Sequence, residues 1–284
     1  MLNCYAGLDD LTNAMKGGSS ATDKAVALRV IEAVSRAYDR GLEYQFFDST
    51  ETAYFDGNGY GTMHLRSAAV VRGGRHAGLI SLTSLKVDED QDGVYERTLT
   101  VNQDFMLSNR DGDGPYRSVR VLARSSQITC WDLAPSSVEI VGEFGWNAET
   151  EAAGTLGAAI TDVAATSITM TAGHTVQAGN TLLIDTEKIF VSAVAGNSLT
   201  VVRGVNGSTA ATHLINAAVS RRRYPRPIEL GVLTESARLI RDGLTGFSGQ
   251  VANAEFAGFA FQSIYPAIAE LKRSFHPTGG MVAV

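Results

Sequence analysis

Two amphipathic segments that lie far apart in the chain constrain its fold most strongly. In residues 22–41 the apolar side chains recur at helical spacing and the charged ones fall elsewhere, which predicts one helix with one buried face. Gly41 predicts the end of this helix, because glycine readily adopts the left-handed conformation. A second helix is predicted over residues 227–244, opened by Pro227. We expect the two helices to pack together as a spine that carries the β structure between them.

The chain between these helices changes to the spacing that is typical of β-strands. Short alternating or apolar runs are separated by Gly, Asp and Asn, which indicates a mainly antiparallel sheet. A second strand-dense stretch follows a rise in Ala and Gly content near Glu149 and ends near the basic run at residues 221–223. The predicted strands are 52–55, 61–65, 79–87, 96–101, 118–122 and 138–141, then 167–171, 181–185, 188–194 and 198–203.

The order of these segments predicts an α+β protein with a helical spine, antiparallel strands and an inserted all-β lobe of barrel-like or sandwich-like form. The helical pattern resumes after the second strand-dense stretch, so this stretch is interpreted as an insertion. The core domain is therefore expected to comprise residues 1–148 and 222–284, and the inserted β domain residues 149–221. A short helix is also predicted over residues 8–15.

Composition restricts the environment in which the chain is expected to work. Its 284 residues are 44% hydrophobic and 19% charged, as in a globular protein. We find no run of about 18 uninterrupted apolar residues and no signal-peptide pattern, so we expect no membrane span and residence in a cytoplasm. The two cysteines offer no disulfide framework and no metal-binding spacing. A formal net charge of −6 argues against a general nucleic-acid-binding protein, which needs a basic surface.

One acidic loop carries the main candidate for a bound cofactor. Asp88, Asp90, Asp92 and Gly93 match the opening of a calcium-binding loop, in which alternating carboxylates converge on a hard cation. Where a helix-loop-helix calcium site has its bidentate glutamate, this chain has Leu99, which cannot bind the ion. The sequence therefore leaves two alternatives, a calcium-binding hairpin and a solvated acidic turn, and predicts no other cofactor.

Other residues that suggest chemistry have simpler structural explanations. Asp185 and Glu187 alternate along a predicted strand and would share a face, as acid/base pairs do and as solvent-facing residues also do. No apolar strand leads into the glycine-rich stretch at residues 57–61 and no helix follows it, so we predict a turn and not a phosphate-binding loop. The sequence contains no nucleophile elbow and no Walker loop. The chain is accordingly predicted not to be an enzyme.

Several segments, taken together, resemble a known family. They are the helical residues 23–40, the aromatic residues 44–47, residues 102–107, the glycine-aromatic residues 138–146 and the basic C-terminal residues 265–275. In this order they are similar to the head-to-tail connector, or adaptor, proteins of tailed bacteriophages. The likeness covers residues 1 to 148 and 222 to 284. The intervening insertion departs from the family pattern and resembles small β modules of other phage structural proteins.

The resemblance implies a structural role in the virion and no catalysis. Family members form a closed ring, typically a dodecamer, below the portal protein, and a neck, stopper or tail protein attaches beneath the ring. The packaged double-stranded DNA passes through the channel and is retained there. By this likeness the chain would be assembled in the cytoplasm of a bacterial host and would reside in the neck of the virion.

The C-terminal segment is the predicted docking element for the portal. Its apolar residues recur at helical spacing and basic residues follow, although packing onto the chain's own core is an equally good interpretation. The alternative function is a calcium-dependent binding module, for a glycan or another surface ligand, of a phage tail component. The predicted portal-docking residues are Tyr265, Ile268, Leu271, Lys272, Arg273 and Phe275.

Overall fold

Three antiparallel β-sheets and three helices make up the computed structural model, which describes residues 3–15, 21–42, 45–65, 78–108 and 115–244. The protein is therefore α+β and mostly β. None of the helices within those residues is long and apolar enough to cross a membrane. The elements in chain order are α1 (Leu8–Met15), α2 (Ala21–Leu42), β1 (Ser49–Phe55), β2 (Thr62–His64), β3 (Leu79–Val87), β4 (Arg97–Leu99), β5 (Phe105–Ser108), β6 (Ser118–Val121), β7 (Val138–Phe144), β8 (Thr150–Thr155), β9 (Ser167–Thr169), β10 (Thr181–Ile184), β11 (Glu187–Ala195), β12 (Ser198–Val202), β13 (Ala218–Arg222) and α3 (Arg226–Leu244).

The chain folds into two compact units. The helix-bearing unit takes its described residues from Met1–Glu43, Thr150–Val205 and Thr209–Val284, and the two-sheet unit takes its own from Tyr44–Glu149 and Asn206–Ser208. This grouping differs from the division that we predicted from the sequence. The boundary near residue 149 is the same, but the three helices belong with the predicted insertion and not with the preceding strands.

The two-sheet unit combines a four-stranded sheet, in the order β1-β7-β3-β4, with a three-stranded sheet, in the order β2-β6-β5. Strand β7 is the central element, because its residues alternate strictly between buried and half-buried positions and it pairs with both β1 and β3. An isolated bridge between Leu79 and Tyr116 links the two sheets. Their inner faces share one apolar core, in which Phe55 and Phe144 stack with ring centroids 6.4 Å apart.

The helix-bearing unit contains a six-stranded sheet in the order β8-β13-β10-β11-β12-β9. Its two outer strands are joined just beyond their ends, where Leu156 and Met170 form a bridge. The amide of Gly157 also donates to the carbonyl of Thr169 over 2.8 Å. The sheet therefore curls until its edges meet, which removes most of the unpaired backbone groups that an open sheet leaves at its edges. Apolar side chains from all six strands fill its interior.

Helices α2 and α3 pack against each other, as the sequence predicts. Gly231 of α3 lies so close to the buried ring of Tyr38 of α2 that a Cβ atom there would stand 2.6 Å from the phenolic oxygen. Helix α2 continues through Gly41 to Leu42, one residue past the predicted stop. The sequence also predicts that the helices form a spine for the whole β structure, and the fold does not confirm that role.

The segment before α1 is held on α2 by polar contacts. The amide of Tyr5 donates to the hydroxyl of Ser35 over 3.1 Å, and the hydroxyl of Tyr5 donates to the carboxylate of Asp39. Arg36 pairs with Asp39 at 3.1 Å and lies over the Tyr5 ring, 5.3 Å from its centroid. Burial raises the pKa of Asp39 to about 6, against the opposing effects of Arg36 and Tyr5. The N-terminal segment is thus part of the folded unit.

The same N-terminal segment connects the helices to the six-stranded sheet. The amide of Leu8 donates to the carbonyl of Ala178 over 3.0 Å. The side-chain oxygen of Gln177 accepts from the amides of Asp9 and Asp10, which caps the start of α1. Thr181, at the start of β10, donates to the side chain of Asn3 over 3.1 Å. These bonds explain why the helices group with β8–β13.

Candidate functional site

The acidic loop connects β3 to β4 in the two-sheet unit. Asp88 follows β3 directly, and its amide donates to the carbonyl of Ser137 over 3.0 Å, which fixes the start of the loop. Its carboxylate is buried and accepts two bonds, one from the amide of Gln91 at 2.7 Å and one from the amide of Gly93 at 2.9 Å. Gln91 and Gly93 both have a positive φ, so the chain turns sharply around the Asp88 side chain.

Four carboxylates converge in this loop. Oxygen atoms of Asp88, Asp90, Asp92 and Glu96 all lie within 4.8 Å of one another. Three of these residues are the ones predicted from the sequence. Glu96 was missed, because the helix-loop-helix pattern directs attention to Leu99, which is buried in the apolar core. In this hairpin the second strand, β4, starts at Arg97, so Glu96 just before it lies beside the other three carboxylates.

The arrangement suits a hard cation such as Ca²⁺, which prefers carboxylate oxygens. The loop also stabilises itself through its own backbone. Asp90 accepts from the amide of Asp92 at 3.3 Å, and Asp92 accepts from the amide of Val94 at 2.8 Å. Each carboxylate oxygen has more than one lone pair, so these bonds leave capacity for an ion. Both predicted alternatives, a calcium site and a solvated acidic turn, are therefore compatible with the loop geometry.

A second polar cluster lies within the helix-bearing unit, around Glu187 at the start of β11. The Glu187 side chain is 0% exposed, and Arg203 binds it with two parallel bonds, from Nε to Oε1 at 2.6 Å and from an Nη atom to Oε2 at 2.7 Å. The amides of Gly204 and Ala211 each donate to it over 3.1 Å. His213 completes the cluster, with its Nε2 atom 2.8 Å from Oε2.

The opposite nitrogen of the His213 ring faces Asp185, with Nδ1 2.8 Å from a carboxylate oxygen. The prediction that Asp185 and Glu187 alternate along one strand was wrong. Asp185 lies in the two-residue turn between β10 and β11, with a φ of 52°, and Glu187 is the first residue after that turn. The tight turn, and not strand alternation, brings the two carboxylates to opposite edges of one imidazole ring.

Competing effects set the protonation of Glu187. Burial raises the pKa of its carboxyl group, but the hydrogen bonds from Arg203, His213 and the Ala211 amide outweigh it and lower the pKa to about 2. Both ring nitrogens of His213 are engaged by carboxylates, so the ring is not positioned to take a proton from a substrate. The cluster acts as a buried cross-link between the β10–β11 hairpin and the loops after β12.

The glycine-rich stretch at residues 57–61 is a turn, as predicted. The amide of Gly57 donates to the carbonyl of Ala134 over 2.9 Å, and the amide of Gly59 donates to the carbonyl of Trp131 over 2.8 Å. The side chain of Asn58 closes the turn by donating to the carbonyl of Thr62. The amides of Gly57, Gly59 and Tyr60 are therefore already bonded within the protein and are not directed at a phosphate.

The remaining predicted site is not described by the structure. The portal-docking residues Tyr265, Ile268, Leu271, Lys272, Arg273 and Phe275 all lie outside the described residues. Comparison with known proteins identifies no relative, since no protein-family model, no curated protein and no solved structure matches the chain. A functional conclusion therefore depends on the residues and their geometry.

Proposed function

We propose that this chain is a structural protein of a tailed-phage virion, a head-to-tail connector without catalytic activity. In this proposal it forms a closed ring below the portal, retains the packaged DNA and offers an attachment platform for the next neck or tail protein. The observation that carries the proposal is the packing of α2 against α3, with Gly231 at the Tyr38 ring. This packing agrees with the predicted pairing of two helices that are separated in the sequence by most of the strands, the first of which is among the segments that carry the resemblance.

Surface properties support assembly into a ring. Leu133 is 81% exposed and Leu214 is 80% exposed, and such side chains are available for contacts between subunits. A head-to-tail interface produces a closed ring when the rotation between neighbouring subunits is a whole-number fraction of a full turn. Such an interface needs complementary surface patches but no active site. The net charge of −6 is consistent with this role, because an acidic channel wall would repel phosphates and let the duplex slide.

The six-stranded sheet has a supporting role in this proposal. The sheet of β8–β13, which groups with the three helices in the fold, decorates the ring or braces neighbouring subunits. Its joined edges at Leu156 and Met170 suit that role, since a closed sheet presents few unpaired strand edges to unintended partners. Assembly takes place in the cytoplasm of the bacterial host, and the mature location is the neck of the virion.

Removal of residues 265–284 tests the predicted portal contact. We expect this truncation to abolish capture of the chain by the purified portal protein of the same virus, because it deletes the whole predicted docking segment. The change is measured by co-sedimentation with portal rings. A matched variant, Lys272→Glu with Arg273→Glu in the full-length chain, is expected to weaken capture by charge reversal alone. Undiminished capture of the truncated chain would exclude the segment as the docking element.

The acidic loop favours a second candidate function, a calcium-dependent binding module of a phage tail component. The supporting observation is the convergence of four carboxylates within 4.8 Å. For this candidate, calorimetric titration will show saturable calcium binding with a dissociation constant of about 1 mM or tighter. The double variant Asp90→Asn, Asp92→Asn will abolish it, whereas Asp132→Asn, at an exposed position outside the cluster, will not. A titration without heat at millimolar calcium removes this candidate.

A further inference from the structure

A surface cleft lies at one end of the three-stranded sheet in the two-sheet unit. It is bounded by the start of β2, the end of β6 and the loop that follows β6, and its volume is about 510 Å³. None of the described residues that line it belongs to the acidic loop or to the Glu187 cluster. The proposed connector role and the calcium candidate therefore leave this cleft without a function.

Hydrogen bonds hold both walls of the cleft in place. The amide of Val121 donates to the carbonyl of Gly61 over 2.7 Å, which joins the end of β6 to the turn before β2. The hydroxyl of Ser125 donates to the carboxylate of Asp104 over 2.9 Å and accepts from the amide of Gln127 over 3.1 Å. The cleft is thus already formed in the free protein, as small-molecule sites usually are.

One arginine of the cleft has no partner in the part of the chain that the structure describes. Arg120 is exposed on the outer face of β6, and its guanidinium forms no ion pair and no hydrogen bond there. Its cross-strand neighbours, Thr62 and Met106, carry no charge. Asp104 is buried, and groups of the protein already bind both of its carboxylate oxygens. The planar fork of donors on Arg120 is therefore available to a carboxylate, whose two oxygens it matches.

The cleft also offers an aromatic ring and an apolar floor. Tyr60 is 73% exposed, and its amide donates to the side chain of Asn58 over 3.0 Å, which fixes its backbone. Val121 and Ile128 line the cleft and pack with the apolar core of the unit. A tyrosine ring has an apolar face and a polar tip. This combination suits a ligand with an apolar face and polar edges, as a sugar ring has.

Hydroxyl groups complete the lining of the cleft. Thr62 and Thr129 both lie in it, and neither side chain forms a hydrogen bond within the described residues. Because a hydroxyl both donates and accepts, these two groups match the hydroxyls of a sugar. The cleft therefore combines one unpaired cation, one exposed aromatic ring and two hydroxyls that are available to a ligand.

We propose that this cleft binds an acidic sugar unit of the uronic acid class. Arg120 pairs with the carboxylate, the ring of Tyr60 stacks on the C–H face of the sugar, and Thr129 bonds one of its hydroxyls. The cleft volume lies within the range of small-molecule sites, which suits a ligand of this size. A simple carboxylate would leave the aromatic ring unused, and a neutral sugar would leave the guanidinium unused. The proposal requires neither a ring of subunits nor a calcium ion, so it is independent of both functions proposed above.

Ligand-detected NMR titration with glucuronate, at constant ionic strength, tests the proposal on the full-length protein. We expect saturable binding with a dissociation constant on the order of 1 mM. Arg120→Gln should weaken it by roughly 10-fold, because the paired bonds to the carboxylate are lost. Tyr60→Ala should weaken it several-fold, because the stacking ring is lost. Arg29→Gln, at an exposed position of α2, is the matched control and should leave binding unchanged.

Glucose and acetate separate the two parts of the ligand, because glucose lacks the carboxylate and acetate lacks the ring. We expect each of them to bind several-fold more weakly than glucuronate. Thermal unfolding of each variant without ligand verifies that the fold is retained. Absence of saturable glucuronate binding up to about 50 mM overturns the proposal. Binding of inorganic phosphate as tight as that of glucuronate, or equal weakening by Arg120→Gln and Arg29→Gln, also overturns it, because either result would indicate a general charge effect.

Discussion

The substitution Glu187→Gln is expected to lower the free energy of unfolding of the helix-bearing unit by roughly 3–5 kcal/mol. The glutamine keeps the shape of the side chain but removes its charge. Arg203, whose side chain is 6% exposed, would then be left in the interior without its counter-ion, and His213, 1% exposed, would lose the carboxylate at its Nε2 atom. Chemical denaturation, monitored through the amide hydrogen exchange of β10 to β12, measures the loss of stability of the helix-bearing unit.

Asp185→Asn is the matched control, because Asp185 contacts the same imidazole ring from the other edge. Its side chain is 69% exposed, so water replaces the lost interaction, and we expect a change of less than about 1 kcal/mol. Asparagine also tolerates the left-handed conformation of this turn position. Equal losses in the two variants would contradict the interpretation of Glu187 as the centre of the cluster.

The same cluster predicts a pH dependence. The pKa of Glu187 is lowered from 4.5 to about 2 in the folded protein, so the carboxylate stays ionised to a lower pH in the folded state than in the unfolded state. The resulting stabilisation, roughly 3 kcal/mol, is fully present above the unfolded pKa and is lost as the pH falls from about 4.5 to about 2. The Glu187→Gln variant should lack this component of the acid sensitivity.

The second large effect is expected at Gly57, in the glycine-rich turn of the two-sheet unit. A Cβ atom at this position would stand 1.7 Å from the backbone carbonyl oxygen of Asp132, which cannot move without breaking the turn. Gly57→Ala should therefore lower the free energy of unfolding by roughly 3 kcal/mol or more. Thermal unfolding, read out by the fluorescence of Trp131 and Trp146, which both lie in this unit, measures the change.

Gly61→Ala is the control in the same stretch of chain. A Cβ atom at Gly61 would have no atom within 4 Å, so we expect a change within about 0.5 kcal/mol. If Gly57→Ala proved as mild as Gly61→Ala, the close approach of the turn to Asp132 would be contradicted. The comparison separates this packing requirement from the general flexibility of glycine.

The sequence predicts the regular elements where one periodicity holds over many residues. Helix α1 at residues 8–15 and strand β3 at residues 79–87 are confirmed at both ends, and α3 starts one residue earlier than predicted. These segments have an unbroken apolar pattern with clear polar limits, so local spacing alone specifies them.

Three strands were missed because their side chains do not alternate in hydrophobicity. Strand β13 ends in Arg221 and Arg222, which belong to a basic run without the alternation of a strand. Strand β8 is rich in Ala and Gly, and β5 begins with three consecutive apolar residues, Phe105 to Leu107. Their strand conformation depends on pairing with distant partners, such as β8 with β13, and local composition does not reveal that pairing.

The candidate sites, like the missed strands, depend in part on contacts between residues that are distant in the sequence. Asp88, Asp90 and Asp92 come together because they are close in sequence, whereas Glu96 joins them through the hairpin register. The cluster of Glu187, Arg203 and His213 joins residues up to 26 positions apart, and a single sequence gives no signal for it.

The mass and shape of the purified protein, with and without the portal of its virus, test the connector proposal most directly. Light scattering and negative-stain microscopy provide both quantities. The proposal predicts a closed ring, or a shift from smaller species to a ring of about twelve subunits when portal is added. A particle that stays monomeric and is indifferent to portal would contradict the connector function and favour the calcium-dependent binding module.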